Sequence, residues 1–149
     1  MKITDILRAE HTVFHHVFDH IESVAPKLRS LSEIKTLARL ADKVMSPHSH
    51  VEDELFIEPL EHCFEQIGQR ETFHHEHEVI EKTFSAIAKA RDLKTARSLL
   101  LRAIVASRKH FDKEERIVFP MAERVMKTKT LTDLGREWSK RRDAALKLD

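Results

Sequence analysis

Two segments of the chain decide its fold: residues 37–55, LARLADKVMSPHSHVEDEL, and residues 99–117, LLLRAIVASRKHFDKEERI. In each segment a glutamate follows a histidine by one helical turn, at His48–Glu52 and at His110–Glu114. Apolar residues occupy the same offsets around the two histidines, on both their N-terminal and C-terminal sides. Because these offsets follow the 3.6-residue period, both segments are predicted to be amphipathic helices whose histidine and glutamate face inward.

A second repeat accompanies the first. The stretch that begins Glu10-His11 recurs as the stretch that begins Glu76-His77, upstream of each His–Glu segment. The chain is therefore predicted to contain two helix pairs related by duplication. A solenoid needs at least three units, so two pairs favour a bundle.

The helical period extends over most of the sequence. Helices are predicted over about Thr4–Val24, from Ser32 as N-cap to at least Pro59, from after Gly68 to about Asp92, from after Thr95 to about residue 127, and over about Thr132–Leu146. The predicted fold is all-α, an up-down-up-down four-helix bundle (about 3–127) with a short additional C-terminal helix (about 131–147) in one domain, 1–149. The basic C-terminal helix, which carries Trp138, is expected to cover the end of the bundle.

Composition excludes several classes of protein. The 149 residues include 26 Lys and Arg against 25 Asp and Glu, a net charge of +1 that argues against nucleic-acid binding. One cysteine and no tyrosine exclude a disulfide framework, a cysteine zinc cluster and phenolate ligands. Charged residues interrupt every apolar run, so neither a signal peptide nor a membrane span is expected, and the protein is predicted to be cytoplasmic.

The eleven histidines fall on different helix faces. His11, His48, His77 and His110 lie on the apolar stripes, at similar distances from the connecting turns, so an antiparallel bundle brings all four into one layer. His15 and Glu81 each lie about 40° from a stripe and within reach of the interior. Outward positions are predicted for His16, His20, His50 and His75, and His62 is interpreted as a surface or bundle-end residue.

A buried layer of four histidines with Glu52 and Glu114 has two explanations: a salt-bridged polar layer or a cation site. Burying two carboxylates without compensation costs more than the net stability of a domain. The four stripes carry no Lys or Arg at this level, which favours the cation. Imidazole and carboxylate ligands suit iron, zinc, copper or manganese, and six to eight ligands suit two octahedral ions bridged by carboxylates.

These residues resemble the hemerythrin-like, or HHE cation-binding, family. Its pattern is a histidine on the first helix, H-x-x-x-E on the second, a histidine on the third and H-x-x-x-E on the fourth, here His11, His48–Glu52, His77 and His110–Glu114. The resemblance implies an oxo- or hydroxo-bridged di-iron centre, other divalent metals being the alternative, with the two glutamates bridging.

The third helix departs from the oxygen-carrying members of the family, which have a second histidine four residues after the first. Here that position is Glu81, and the extra histidine is His15. His15 and Glu81 are therefore expected to join the ligand set, with His74 as a weaker candidate. Asp53 and Glu115 are interpreted as solvated surface, the alternative being partners of the ligating histidines.

The resemblance implies a protein that binds O₂ or NO for sensing, delivery or protection rather than an enzyme. Two alternatives use the same centre. One is an enzyme with peroxidase, catalase-like or NO reductase activity, and the other is an iron-handling ferroxidase, which Glu81 would favour.

Overall fold

The described part of the chain is built mainly from long helices. The computed structural model describes the backbone of residues 1–66 and 70–146 and the side chains of residues 1–62 and 75–144. Within these residues the chain forms five helices: α1 (Ile3–Val24), α2 (Leu31–Glu52, Asp53–Ile57 and Glu58–Gln66), α3 (Arg70–Lys89), α4 (Leu93–Lys113, Glu114–Val118 and Phe119–Val125) and α5 (Thr128–Leu146). Helices α1 to α4 pack against one another, and α5 packs against α1 and α2. The predicted all-α bundle with an additional C-terminal helix is confirmed.

The helices that carry the His–Glu pairs begin slightly before the predicted positions. The N-cap of α2 is Ser30, not Ser32: its hydroxyl accepts from the Glu33 N–H at 3.2 Å, and the Glu33 carboxylate accepts from the Ser30 N–H at 2.9 Å. Asp92 caps α4 by accepting from the Thr95 N–H at 2.8 Å. Each cap satisfies backbone donors that the first turn leaves without intrahelical partners.

Helices α2 and α4 each contain one π-helical turn, at Asp53–Ile57 and Glu114–Val118. A π turn holds an extra residue, so it rotates the following residues around the helix axis. Ile117, which continues the predicted stripe below His110, is 39% exposed, and Val118 and Phe119 are buried instead. The inward positions predicted from a regular 3.6-residue period are therefore wrong beyond Glu114.

Among the described side chains, the buried apolar residues of the bundle form two clusters. One contains Phe14, Phe18, Met45 and Leu100, and the other contains Leu7, Phe56 and Phe119 among other residues. Along α1, α2 and α4 the layer residues lie between members of the two clusters. The polar layer is therefore enclosed from both ends of the bundle.

Helix α5 runs beside α1 and reaches the polar layer instead of only covering the bundle end. A Cβ atom at Gly135 would lie 2.5 Å from the Met1 carbonyl oxygen and 3.0 Å from the Ile3 nitrogen, so glycine permits this close approach. One turn further, Trp138 is 1% exposed. Among the described residues, none of the helices has the length and apolar character needed to cross a membrane.

Candidate metal centre

Among the side chains that the structure describes, six from all four bundle helices meet in the buried layer. They come from inward positions of α1 and α3, which supply one histidine each, and of α2 and α4, which supply a histidine and a glutamate one turn apart. Their exposed fractions are His11 0%, His48 0%, Glu52 0%, His77 5%, His110 2% and Glu114 0%. Polar groups buried to this degree require partners, because water does not reach them.

Each carboxylate lies between histidines of two helices. Oε2 of Glu52 lies 3.6 Å from Nε2 of His48 and 3.8 Å from Nε2 of His77. Glu114 places Oε2 3.4 Å from Nε2 of His11 and Oε1 2.8 Å from Nε2 of His110. The two glutamates therefore connect the histidines of the bundle across the layer.

The donor atoms form two overlapping groups suited to cations. Glu52, His77, His110 and Glu114 form one, and His11, His48 and Glu52 form the other. Within each group the ligand atoms lie within 4.8 Å of one another. Since Glu52 belongs to both, the layer offers two neighbouring ion positions with a shared carboxylate.

Unsatisfied polar atoms show that a cation fits this layer. Within the described part of the chain, the Nε2 atoms of His11, His48 and His77 and both carboxylate oxygens of Glu52 and Glu114 are buried without a hydrogen bond of normal geometry. Among the described residues of the layer, the imidazole lone pairs and carboxylate charges face no cationic side chain, so their burial carries a desolvation cost. A cation coordinated by them removes that cost, and nitrogen and oxygen donors suit a first-row transition metal.

Burial also shifts the protonation equilibria of the layer. It raises the pKa of Glu114 from 4.5 to about 8, and it raises the pKa of Glu52 well above 4.5, with the nearby charge of Glu114 adding to the effect. Burial lowers the pKa of His11 from 6.5 to about 2, and neighbouring His48 lowers it further. Glu114 is therefore mostly protonated at neutral pH in the absence of an ion, and a bound dication would replace that carboxyl proton.

Every layer histidine is held from outside by a carboxylate. The Nδ1 atom of each lies 2.7–3.0 Å from an Asp or Glu oxygen. An ionised carboxylate only accepts hydrogen bonds, so Nδ1 carries the proton and the Nε2 lone pair faces the layer, the tautomer that binds a metal. The pairs are His11–Glu115, His48–Glu10, His77–Asp53 and His110–Glu76.

These carboxylates follow the duplication in the sequence. Two of them directly precede a layer histidine, as Glu10 and Glu76, and two directly follow a layer glutamate, as Asp53 and Glu115. The interpretation of Asp53 and Glu115 as solvated surface is wrong, since both are hydrogen-bonded to histidines although their side chains are 30% and 38% exposed. Sequence reasoning missed Glu10 and Glu76; the repeated Glu-His dipeptide was the available signal.

Aromatic rings cover one side of the layer. Phe111 stacks on His11 with ring centroids 4.1 Å apart and planes 14° apart, and the edge of Phe14 meets His48 at 5.0 Å. Phe111 also packs on Phe14 and Phe18. These rings keep water from the layer on this side and restrict the orientations of His11 and His48.

The other two members of the predicted ligand set lie outside the two donor groups. His15 is half-buried, and its Nδ1 accepts from the Arg108 guanidinium at 2.9 Å. The side chain of Glu81 is 51% exposed and lies 3.9 Å from the exposed His50. His74 lies outside the described side chains. His16, His20, His50 and His75 are exposed, as predicted.

Comparison with known families identifies one match. The family model described as hemerythrin HHE cation binding domain matches residues 2–122 and also residues 69–147. None of the curated proteins and none of the solved structures searched matches the chain. The second family match begins at α3 and spans the second helix pair and α5, in keeping with the duplication seen in the sequence.

Proposed function

Because the chain belongs to the hemerythrin HHE cation-binding family, we propose that the buried layer holds a non-haem di-iron centre that binds O₂ or NO. The observation that carries the proposal is the pair of overlapping donor groups with Glu52 in common. One group has the imidazoles of His77 and His110, and the other has those of His11 and His48. Two ions bridged by carboxylates use this donor set fully, whereas a single ion would leave histidines unsatisfied.

The proposed ligand set is His11, His48, Glu52, His77, His110 and Glu114. Two imidazoles would hold each ion, and the carboxylates of Glu52 and Glu114 would add oxygen donors, a donor set that would leave room for a small ligand. When bound, the ferrous pair supplies the electrons and open positions through which O₂ or NO is taken up. The chain itself orients the imidazoles through their Nδ1 partners and excludes water with its aromatic side chains.

The position of Glu81 favours gas binding over iron handling. A third carboxylate would make the centre richer in negative charge and more easily oxidised, as the ferroxidase alternative requires. The Glu81 side chain is 51% exposed and lies 3.9 Å from His50, so among the described side chains the buried layer contains four imidazoles and two carboxylates. Neutral ligands stabilise the ferrous state relative to a carboxylate-rich site, which supports reversible binding.

The test is metal loading followed by exposure to gas. The metal-free protein is loaded with Fe²⁺ under anaerobic conditions, and metal content and the visible spectrum are recorded before and after O₂ or NO. We expect two irons per chain and a charge-transfer band that disappears when the gas is removed. His48→Ala is expected to reduce the iron content, and His50→Ala serves as the matched control because that neighbouring histidine is 66% exposed.

Other outcomes contradict the proposal in distinct ways. Two irons with a one-way spectral change exclude reversible binding and favour peroxide chemistry or iron storage. Less than one iron per chain in the wild-type protein excludes a di-iron centre in this layer. Equal iron loss in His48→Ala and His50→Ala excludes the assigned ligands.

A further inference from the structure

The duplicated halves of the layer differ in how their outer carboxylates are held. Glu10 and Glu76 occupy equivalent positions and accept from His48 and His110, respectively. Glu10 also accepts from Trp138 Nε1 at 3.1 Å and from Arg142 Nε at 3.3 Å, both on α5. Glu76 instead accepts from the Lys113 ammonium at 3.0 Å. One half therefore depends on a helix outside the four-helix bundle.

Trp138 contacts this half in two ways. Its indole N–H holds the carboxylate of Glu10, and its ring meets the His48 ring edge-on, with centroids 5.3 Å apart and planes at 79°. The indole is 1% exposed, so both contacts are shielded from water. Trp138 thus supplies a shielded donor and a packed ring on the Glu10 side, whereas Glu76 accepts from the ammonium of Lys113, whose side chain is 19% exposed.

The backbone of α5 fixes where the indole lies. Gly135 brings α5 against Met1 and Ile3 of the N-terminal segment, one turn before Trp138. On the other side of Trp138, the Arg141 guanidinium pairs with Glu54 in the π-helical turn of α2. Movement of α5 relative to α1 and α2 would therefore move the indole and, through Glu10, the imidazole of His48.

We propose that Trp138 is a positioning residue for the His11/His48 ion position, so that the C-terminal helix controls the metal affinity of one half of the centre and not of the other. This inference rests on the proposed two-ion centre. Coupling between two sites is reciprocal: if docking of α5 strengthens metal binding at His48, occupation of that position strengthens the docking of α5. The centre then has two unequal positions, and one of them communicates with the surface through α5.

The sole tryptophan provides a direct readout of this position, because the chain contains one Trp and no Tyr. The metal-free protein is titrated anaerobically with Co²⁺, whose visible absorption reports both positions and which quenches a nearby indole. In the wild-type protein we expect absorption to saturate at two equivalents and fluorescence quenching to follow only one of them. In Trp138→Phe we expect one affinity to fall about tenfold or more and the other to change less than about twofold.

Three variants separate positioning from general stability. Arg142→Met removes the other donor to Glu10 without cutting into the core, and is expected to weaken the equivalent that quenches Trp138. Lys113→Met is the corresponding variant of the other half, because it removes a donor to Glu76. It is expected to weaken binding of the Co²⁺ equivalent that does not quench Trp138. Arg136→Gln is the matched control on α5, since it loses the pairing with Asp133 of the same helix but not a bond to Glu10.

The outcomes distinguish this inference from the proposed function. Wild-type protein that binds fewer than two Co²⁺ ions overturns both. Two tight ions in the wild type with unchanged affinities in Trp138→Phe and Arg142→Met overturn the role of Trp138 and leave the centre standing. Equal weakening of both positions, or the same loss in Arg136→Gln, shows a general effect of substitutions on α5 and also overturns it.

Discussion

The Nδ1 atom of His11 lies 3.0 Å from Oε1 of Glu115, although the two residues are 104 positions apart in the sequence. Their contact joins the first and fourth helices of the bundle at the level of the buried layer. Glu115 thereby selects the tautomer of His11 and directs its Nε2 atom toward Glu114, the residue that directly precedes Glu115. Two adjacent residues of α4 therefore act on the same site. Glu114 offers carboxylate oxygens to a cation, and Glu115 orients His11, whose Nε2 atom is another potential ligand.

Glu115→Ala is expected to weaken metal binding at the His11/His48 position about tenfold or more, because His11 loses its orienting acceptor. Glu115→Gln keeps an acceptor oxygen and should lose less. The measurement is a Co²⁺ titration of both variants beside Asp112→Ala, a control on the same helix whose side chain pairs with Arg116 at the surface. Equal affinities in Glu115→Ala and the control would contradict the role of Glu115.

The stability of the metal-free protein is expected to fall as the pH rises from 6.5 to 8. Glu114 has a pKa of about 8 in the fold against 4.5 when unfolded, so between these values the folded state holds a proton that the unfolded state has released. Stability therefore decreases with pH over that range, by about 2 kcal/mol between pH 6.5 and 8. His11, with a folded pKa of about 2, acts in the opposite direction only below its unfolded value of 6.5.

Urea unfolding at pH 6.5 and pH 8 measures this change in the free energy of unfolding. The decrease should be smaller in Glu114→Gln, which has no proton to lose, and it should vanish in the metal-loaded protein, where the carboxylates are ionised ligands. A metal-free protein whose stability rises over the same interval would show that these carboxyls are not protonated in the fold.

Metal binding is expected to release protons. At pH 7 a carboxyl with a pKa of about 8 is about nine-tenths protonated, so a cation at Glu114 displaces close to one proton, and Glu52 adds to the release. Calorimetric titration with Zn²⁺ in two buffers of different ionisation enthalpy gives the number released. Binding without proton release would place the cation away from these glutamates.

His15→Ala and Glu81→Ala are expected to leave the metal content at two ions per chain, because neither side chain lies in the two donor groups. His77→Ala should lower it. Metal analysis after desalting compares the three variants. Loss of an ion in Glu81→Ala would restore that glutamate to the ligand set and favour the ferroxidase alternative.

Gly135→Ala is expected to destabilise the protein although alanine is favoured in helices by about 1 kcal/mol. The added Cβ would lie 2.5 Å from the Met1 oxygen and 3.0 Å from the Ile3 nitrogen, so the backbone of α5 or of the N-terminus must move. Thermal unfolding of the metal-free variant gives the sign. Lys140→Ala, at a position of the same helix whose side chain is 68% exposed, is the control.

The inward positions of the six proposed ligands were predictable because helical periodicity is a local property. A rotation of about 100° per residue relates each histidine to apolar neighbours within two turns, and the connecting turns set their common level. This local property does not determine whether residues at the edge of the stripe, such as His15 and Glu81, reach the layer. For a side chain about 40° from the stripe, the distance to the neighbouring helix determines whether it reaches the layer.

By itself, the sequence determined the helical class, the duplicated His–Glu pattern and the presence of a buried layer rich in metal ligands. Only the tertiary structure decided which carboxylates hold the imidazoles, since Glu10, Asp53, Glu76 and Glu115 each act on a histidine of another helix. It also decided the shift of Val118 into the core after a π turn and the reach of Trp138 to the layer. These features depend on distances between helices, which arise from packing and have no periodic signature along the chain.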